Sequence, residues 1–323
     1  MANTCPWGVG SKTSTLIAFE TAYGVTPSDA ATKAVRMPFN SNGIGSSQNS
    51  TSPSTIRGNR NPVEPIFGNN DVSGDIVVPV DYTAFGYWLK AAFGDPTSAR
   101  VGDTSGNYKH IFKIKDNQPS LTVEKAFPGI NTYIKEHGCK VSKLSLSVGG
   151  DGELTATLSM MGGKEEITTT SMATNAVEPE FNRAQNFQAQ IKIGGTVKGK
   201  MTSFSMDIDF GLDGETYCIG GQGFREAICE GLMTISGTVE AFFDSKEYIT
   251  MAEASTETSA EVVISSGTYS LSILLPEIKF ARTSPGIDGP GGIKQSLNYN
   301  AYYQDDSNAS AAVVTLTNKN TSY

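Results

Sequence analysis

Val72-Ser73-Gly74-Asp75-Ile76-Val77-Val78-Pro79-Val80-Asp81 has a counterpart 163 residues further on, Ile235-Ser236-Gly237-Thr238-Val239-Glu240-Ala241-Phe242-Phe243-Asp244. Ser-Gly is kept, and an Asp closes each segment seven residues after the Gly. Apolar parity is kept too: Ile76 with Val239, Val78 with Ala241, Val80 with Phe243. Alternation of period two marks a strand with one buried face. The closing Asp suits the N-cap of a following helix. A helix is therefore expected over 82–93, where Phe85, Trp88, Leu89, Ala92 and Phe93 form one apolar face and Gly94-Asp95-Pro96 stops it. Tyr248, Met251 and Ala252 stand at the same offset from Phe85, Trp88 and Leu89.

The correspondence extends both ways. Upstream, Ile56-Arg57-Gly58 precedes Ile219-Gly220-Gly221 by the same offset. Downstream the offset shrinks while the order of expected strands persists: 110–114 with 261–264, 121–127 with 269–275, 141–148 with 278–281, and 153–160 with 294–302. Glycine-containing turns precede the last pair, as in hairpins. A longer loop over 128–138 in the first copy accounts for the changed offset. Phe204, Met206, Ile208 and Phe210 alternate with Ser203, Ser205, Asp207 and Asp209, a half-buried strand.

The division expected is an N-terminal arm at 1–35 with a short helix at 15–23, and a first β domain at 36–165 with a long loop at 40–70. A linker at 166–189, a second β domain at 190–304 and a C-terminal tail at 305–323 follow.

Composition agrees with a β-rich chain. Apolar residues make up 38% and charged residues 18% of 323, while Gly, Ser, Thr and Asn abound; that balance favours short strands joined by turns. A net charge of −8 argues against gripping nucleic acid, because phosphate contacts need Lys and Arg. Cys5, Cys139, Cys218 and Cys229 form no CxxC pair. The start MANTCPWGVG reads as no signal peptide, and reduced thiols in a cytoplasmic setting are the expectation.

Catalytic patterns are sparse. His110 is read as opening a strand and His137 as lying in a loop, neither beside metal-ligand spacing. There is no GxSxG, P-loop or HExxH motif. Gly220-Gly221-Gln222-Gly223 lacks the Lys-Ser/Thr of a phosphate loop. Asp207/Asp209 and Glu165/Glu166 read as solvated carboxylates rather than a Ca²⁺ site. Tyr82, Tyr87 and Trp88 suggest a sugar platform only weakly, since Trp88 fits the helix stripe. No enzyme, metal or cofactor is expected.

Gly8-Val9-Gly10-Ser11-Lys12 and Phe19-Glu20-Thr21-Ala22-Tyr23-Gly24-Val25-Thr26-Pro27 resemble the opening of phage tail tube proteins. Asp71-Val72-Ser73-Gly74, the Phe85-Gly86 and Trp88-Leu89 helix, and Leu274-Leu275-Pro276-Glu277-Ile278-Lys279-Phe280 resemble later signatures of that family, in the same order across most of the chain. The resemblance implies a mainly β fold: two tandem tail-tube-like β-sandwich or barrel domains, each with one flanking α-helix. It implies a structural virion protein in which rings of six tube domains stack, and neighbouring sheets close a β-barrel around the channel for DNA ejection. With two domains per chain, a trimeric ring of pseudo-sixfold symmetry follows.

The implied partners are further copies of the chain, tail tip and terminator proteins, and viral DNA passing without specific binding. No membrane is implied, and the place is the virion tail, assembled in the bacterial host cytoplasm. Candidate channel-facing residues are Lys143, Glu153, Asp207, Asp209 and Glu240, with the outer solvent face an equal alternative. Phe19, Tyr23, Ile56, Arg57, Arg60 and Phe67, on the arm and long loop, are candidate ring-to-ring contacts. A tail terminator, a capsid decoration protein, a secretion-system tube or a carbohydrate-binding adhesin module remain open alternatives.

Overall fold

The computed structural model describes residues 7–102, 106–287 and 289–323, so Cys5 lies outside the described residues. The chain is mainly β with few helices. Its principal strands are β1 (Ser14–Phe19), β2 (Gly45–Thr51), β3 (Ile66–Pro79), β4 (Tyr108–Lys113), β5 (Leu121–Phe127), β6 (Thr132–Gly149), β7 (Thr155–Gly162) and β8 (Lys164–Thr168). They continue with β9 (Ala189–Ile193), β10 (Met201–Asp209), β11 (Thr234–Phe242), β12 (Thr258–Ser266), β13 (Tyr269–Phe280), β14 (Lys294–Tyr302) and β15 (Val313–Asn318). Helix α1 (Phe85–Phe93) follows β3, and α2 (Glu247–Glu253) follows β11.

The repeat is visible in the register. Ile76 of β3 faces Leu158 of β7, and Val239 of β11 faces Leu297 of β14. Ile17 of β1 faces Val123 of β5, as Ile191 of β9 faces Val262 of β12. Strand β8 pairs with the first half of β6, and β15 pairs with the first half of β13. The shared Ser-Gly has a steric reason. A Cβ on Gly74 would lie 2.4 Å from the Gly43 carbonyl oxygen, and one on Gly237 would lie 2.1 Å from that of Ser205. Only glycine lets the partner backbone approach so closely at both places.

The two copies do not stand apart. The second half of β6 pairs with β7 on one side and with β10 on the other, so Leu144 faces both Leu158 and Ile208. An antiparallel succession β2-β3-β7-β6-β10-β11-β14-β13 results. Strand β15 further ties β13 of the second copy to β4 of the first. One hydrophobic core runs through both copies, from Ile76, Leu144 and Trp88 to Phe204, Val239 and Leu297. Burying each such side chain contributes about 1.5–3 kcal/mol. The seam between copies is thus core, not a loose docking contact. Among the described residues the sheet is open, with free edges rather than a closed barrel.

Several expectations are corrected. The helix at 15–23 is strand β1, because Thr15-Leu16-Ile17 fill the space between the strand at Val35–Met37 and β5. The loop at 40–70 is flanked by strand, β2 paired with the first half of β3, and stays irregular over 52–65. The loop at 128–138 is a short turn at Pro128–Ile130 followed by β6, which places His137 on a strand. The middle strands correspond differently: β5 matches β12 and β6 matches β13, while β4 has no counterpart among the described residues. Segments 269–275 and 278–281 are one strand because Pro276 is absorbed where the β12–β13 register shifts, a bulge, instead of ending it. Asp81 does serve the α1 N-terminus, accepting from the N–H groups of Thr83, Ala84 and Phe85. Asp244 instead pairs with Lys200 at 2.6 Å.

Candidate assembly surfaces

Because directly opposed residues of antiparallel strands share a face, the register assigns every side chain of the shared sheet to one of two sides. Val77, Thr157, Ser145, Asp207, Ser236, Asn300 and Lys279 form one row across seven strands. Parallel rows hold Lys143 with Asp209 and Thr234, and Ser203 with Glu240 and Ser296. This face is rich in Ser, Thr and Asn; the opposite face is the core. Four of the five sequence candidates, Lys143, Asp207, Asp209 and Glu240, therefore lie on one face.

Their charges are partly spent locally. Lys143 stands 3.2 Å from Asp207, which also accepts from the Ser145 hydroxyl at 2.5 Å. Asp209 accepts from the Gly211 N–H at 2.8 Å, and Glu240 has Lys294 at 3.9 Å. Glu153 lies apart, beyond the end of β6, held by Asn40 at 2.7 Å and Arg183 at 3.3 Å.

A second surface consists of two arms at equivalent places in the repeat. The first arm is the β2–β3 hairpin. Its tip residue Ile56 is 95% exposed and Phe67 is 67% exposed; Arg57 donates to the Pro62 carbonyl at 3.0 Å and Arg60 is exposed. The second arm spans 211–232, closed at its base by Leu212–Asp213 pairing with Cys229–Glu230. Its tip residue Ile219, 163 positions after Ile56, is also fully exposed.

The body of the second arm is docked. Arg225, buried, donates to the carbonyls of Gly214, Val72 and Gly162 and pairs with Asp71 at 2.5 Å. The Asn70 N–H donates to the Gly223 carbonyl at 2.8 Å, and Tyr217 donates to the Asn70 carbonyl at 3.0 Å. Lys140 anchors Glu230 at 2.7 Å. The second copy thus lays its arm on the first. Sequence reasoning missed Arg225, whose surrounding Gly-rich stretch carries no periodicity to mark it.

Phe19 and Tyr23 also pack within their own chain. Phe19 lies beneath Lys90, whose Nζ is 4.6 Å from the ring centre, and Tyr23 packs where any Cβ on Gly138 or Gly163 would stand. Tyr82 and Trp88 are buried, which removes two members of the sugar platform. His110 bonds Ser98 at 2.7 Å and the Asn320 carbonyl at 3.0 Å; His137 bonds Thr26 at 3.2 Å. Burial lowers the pKa of both, although His137 also stands 3.3 Å from the Glu166 carboxylate. Among the described residues no cluster of three His, Cys, Asp or Glu could hold a metal ion, and no helix is long and apolar enough to cross a membrane.

No curated relative matches the chain. The family model described as phage tail tube protein matches residues 10–301, which takes in both copies, both arms and the seam between them. The chain therefore belongs to the phage tail tube protein family, and is a structural, non-catalytic protein of that kind.

Proposed function

We propose that three chains close into a ring of six β domains with pseudo-sixfold symmetry. Stacked rings make the tail tube, and the hydroxyl-rich face lines the channel through which DNA passes during ejection. One observation carries this reading: β6 of the first copy and β10 of the second already join two copies into one sheet with one polar face. Repeating that seam between chains removes the free edges and closes a barrel. Cyclic closure within the ring and head-to-tail stacking along the axis are the corresponding symmetries.

The lining suits a sliding polyanion. Ser, Thr and Asn offer weak, exchangeable contacts, Asp209 and Glu240 repel phosphate, and Lys143 is held by Asp207. Glu153 stands outside these rows and takes no part in the lining. The exposed tips Ile56 and Ile219, equivalent in the repeat, form six apolar points per ring that touch the next ring. At the ends of the tube the same points meet the tip and terminator proteins. The subunits assemble in the host cytoplasm and reside in the tail.

Electron-microscopic reconstruction of tubes grown from the purified protein tests this reading. Three chains per ring with the Ser145–Asp207–Ser236 row facing inward is the expected result. Six chains per ring, or that row facing outward, would refute it.

A further inference from the structure

We infer that the joint between the two copies within one chain is the template for the joint between chains, and that an apolar cavity in the second copy receives the first arm of the neighbouring subunit. The inference rests on the ring reading above and adds which residues meet.

In the first copy, the seat of the second arm is built from Asn70, Asp71, Val72 and Gly162. Val72 faces Gly162 across β3 and β7. The repeat carries this pair onto Ile235 and Ala301, which face each other across β11 and β14. Asn70 is carried onto Met233. Met233, Ile235 and Ala301 all line one cavity of about 400 Å³, completed by Leu232, Tyr302 and Ala311 among others. The second copy therefore carries a seat on which no arm of its own chain is docked among the described residues, while the first copy carries an arm whose side chains Ile66 and Phe67 are 59% and 67% exposed.

The chemistry of the two joints differs in a matched way. In the intrachain joint a buried arginine meets Asp71 and two carbonyls. In the second copy, Thr234 stands where the repeat has Asp71, on the polar face opposite Asp209, and the cavity walls are mostly apolar. On the free arm, the place of Arg225 is taken by Pro62, within Pro62-Val63-Glu64-Pro65-Ile66-Phe67. A proline-stiffened segment, apolar apart from Glu64, suits the apolar cavity, as the arginine suits the aspartate. A second copy of this chain is thus the occupant. The template also fixes a contact: Gly223 beside Asn70 within the chain becomes Arg60 of one subunit beside Met233 of the next.

The test is the variant Arg60→Cys with Met233→Cys, made where Cys5, Cys218 and Cys229 are serine, and oxidised after tube growth. Disulfide-linked species that stop at three subunits are expected on a non-reducing gel. A ladder running past three subunits, or intact tubes without cross-links, would overturn the lateral docking while leaving the tube reading in place. Failure of the unsubstituted protein to form tubes would overturn the tube reading itself. A second variant, Phe67→Asp, changes a side chain that is exposed in the isolated subunit. It is expected to keep the unfolding midpoint of the subunit and raise the concentration needed for polymerisation at least tenfold; an unchanged threshold would overturn the docking.

Discussion

Leu144 faces Ile208 across the seam between the first and second copies, and both side chains are buried in the core that the copies share. Cutting Ile208 back to alanine removes packing from both copies at once, at a cost of about 2–5 kcal/mol. Trp88 sits in the first copy and reports on it, given a Trp7→Phe background. In denaturant, Trp88 fluorescence and backbone circular dichroism are expected to lose their midpoint together in Ile208→Ala. A shift in circular dichroism without one in Trp88 would mean that the copies unfold separately.

Gly237 tests the steric reason for the repeated Ser-Gly. An alanine Cβ there would meet the Ser205 carbonyl and the Tyr299 hydroxyl, at 2.1 and 2.4 Å. Tyr299 is itself fixed, donating to that same carbonyl at 2.8 Å. The strand pair must spread, and overpacking of this kind costs about 1–3 kcal/mol. Gly10→Ala, where no heavy atom lies within 4 Å, is the control expected to leave stability unchanged. Thermal melts of the two variants settle the point, and equal melting temperatures would contradict it.

These two cases show why so much of the architecture could be read from the sequence. The Ser-Gly segments, the alternation of Phe204 to Phe210 and the α1 stripe are local signals, set by strand pleat and helix period, and they mark the elements correctly. What escaped was set by distant partners. Thr15-Leu16-Ile17 becomes a strand because β5 and the Val35–Met37 strand flank it. Arg225 matters because Asp71, 154 residues earlier in the chain, lies beside it. Pro276 lies between the expected strands 269–275 and 278–281 and is taken up by a bulge within one strand. The polar face was ambiguous for the same reason: alternation says which residues are not core, and only pairing shows that Lys143, Asp207, Asp209 and Glu240 share a side.

Glu136 gives the protein a pH dependence with a definite sign. Its carboxyl is buried, 2.8 Å from Lys125, and burial raises its pKa from an ordinary 4.5 to about 7 despite that partner. The folded chain therefore holds the proton more tightly than the unfolded chain. This group's stabilisation is complete below pH 4.5, falls as pH rises towards 7, and is level above. Glu136→Gln is expected to remove that slope. Denaturant midpoints measured across this interval would show a slope in the unsubstituted protein and a flatter line in the variant; the same slope in both would exclude Glu136 as its source.

The polar face makes the last prediction, one that separates lumen from exterior. Asp209→Lys with Glu240→Lys changes charge at positions on β10 and β11 that lie outside the core, so subunits are expected to fold and polymerise. Added cations bind phosphate and release counterions, so the variant tubes should hold DNA with an affinity that falls steeply with salt. Nuclease tells where that DNA is. If these residues line the channel, the retained DNA is enclosed and survives digestion, and ejection through variant tails is slowed. If the face lies outside, the bound DNA is digested and ejection keeps its normal rate, which would reverse the assignment of the two sheet faces.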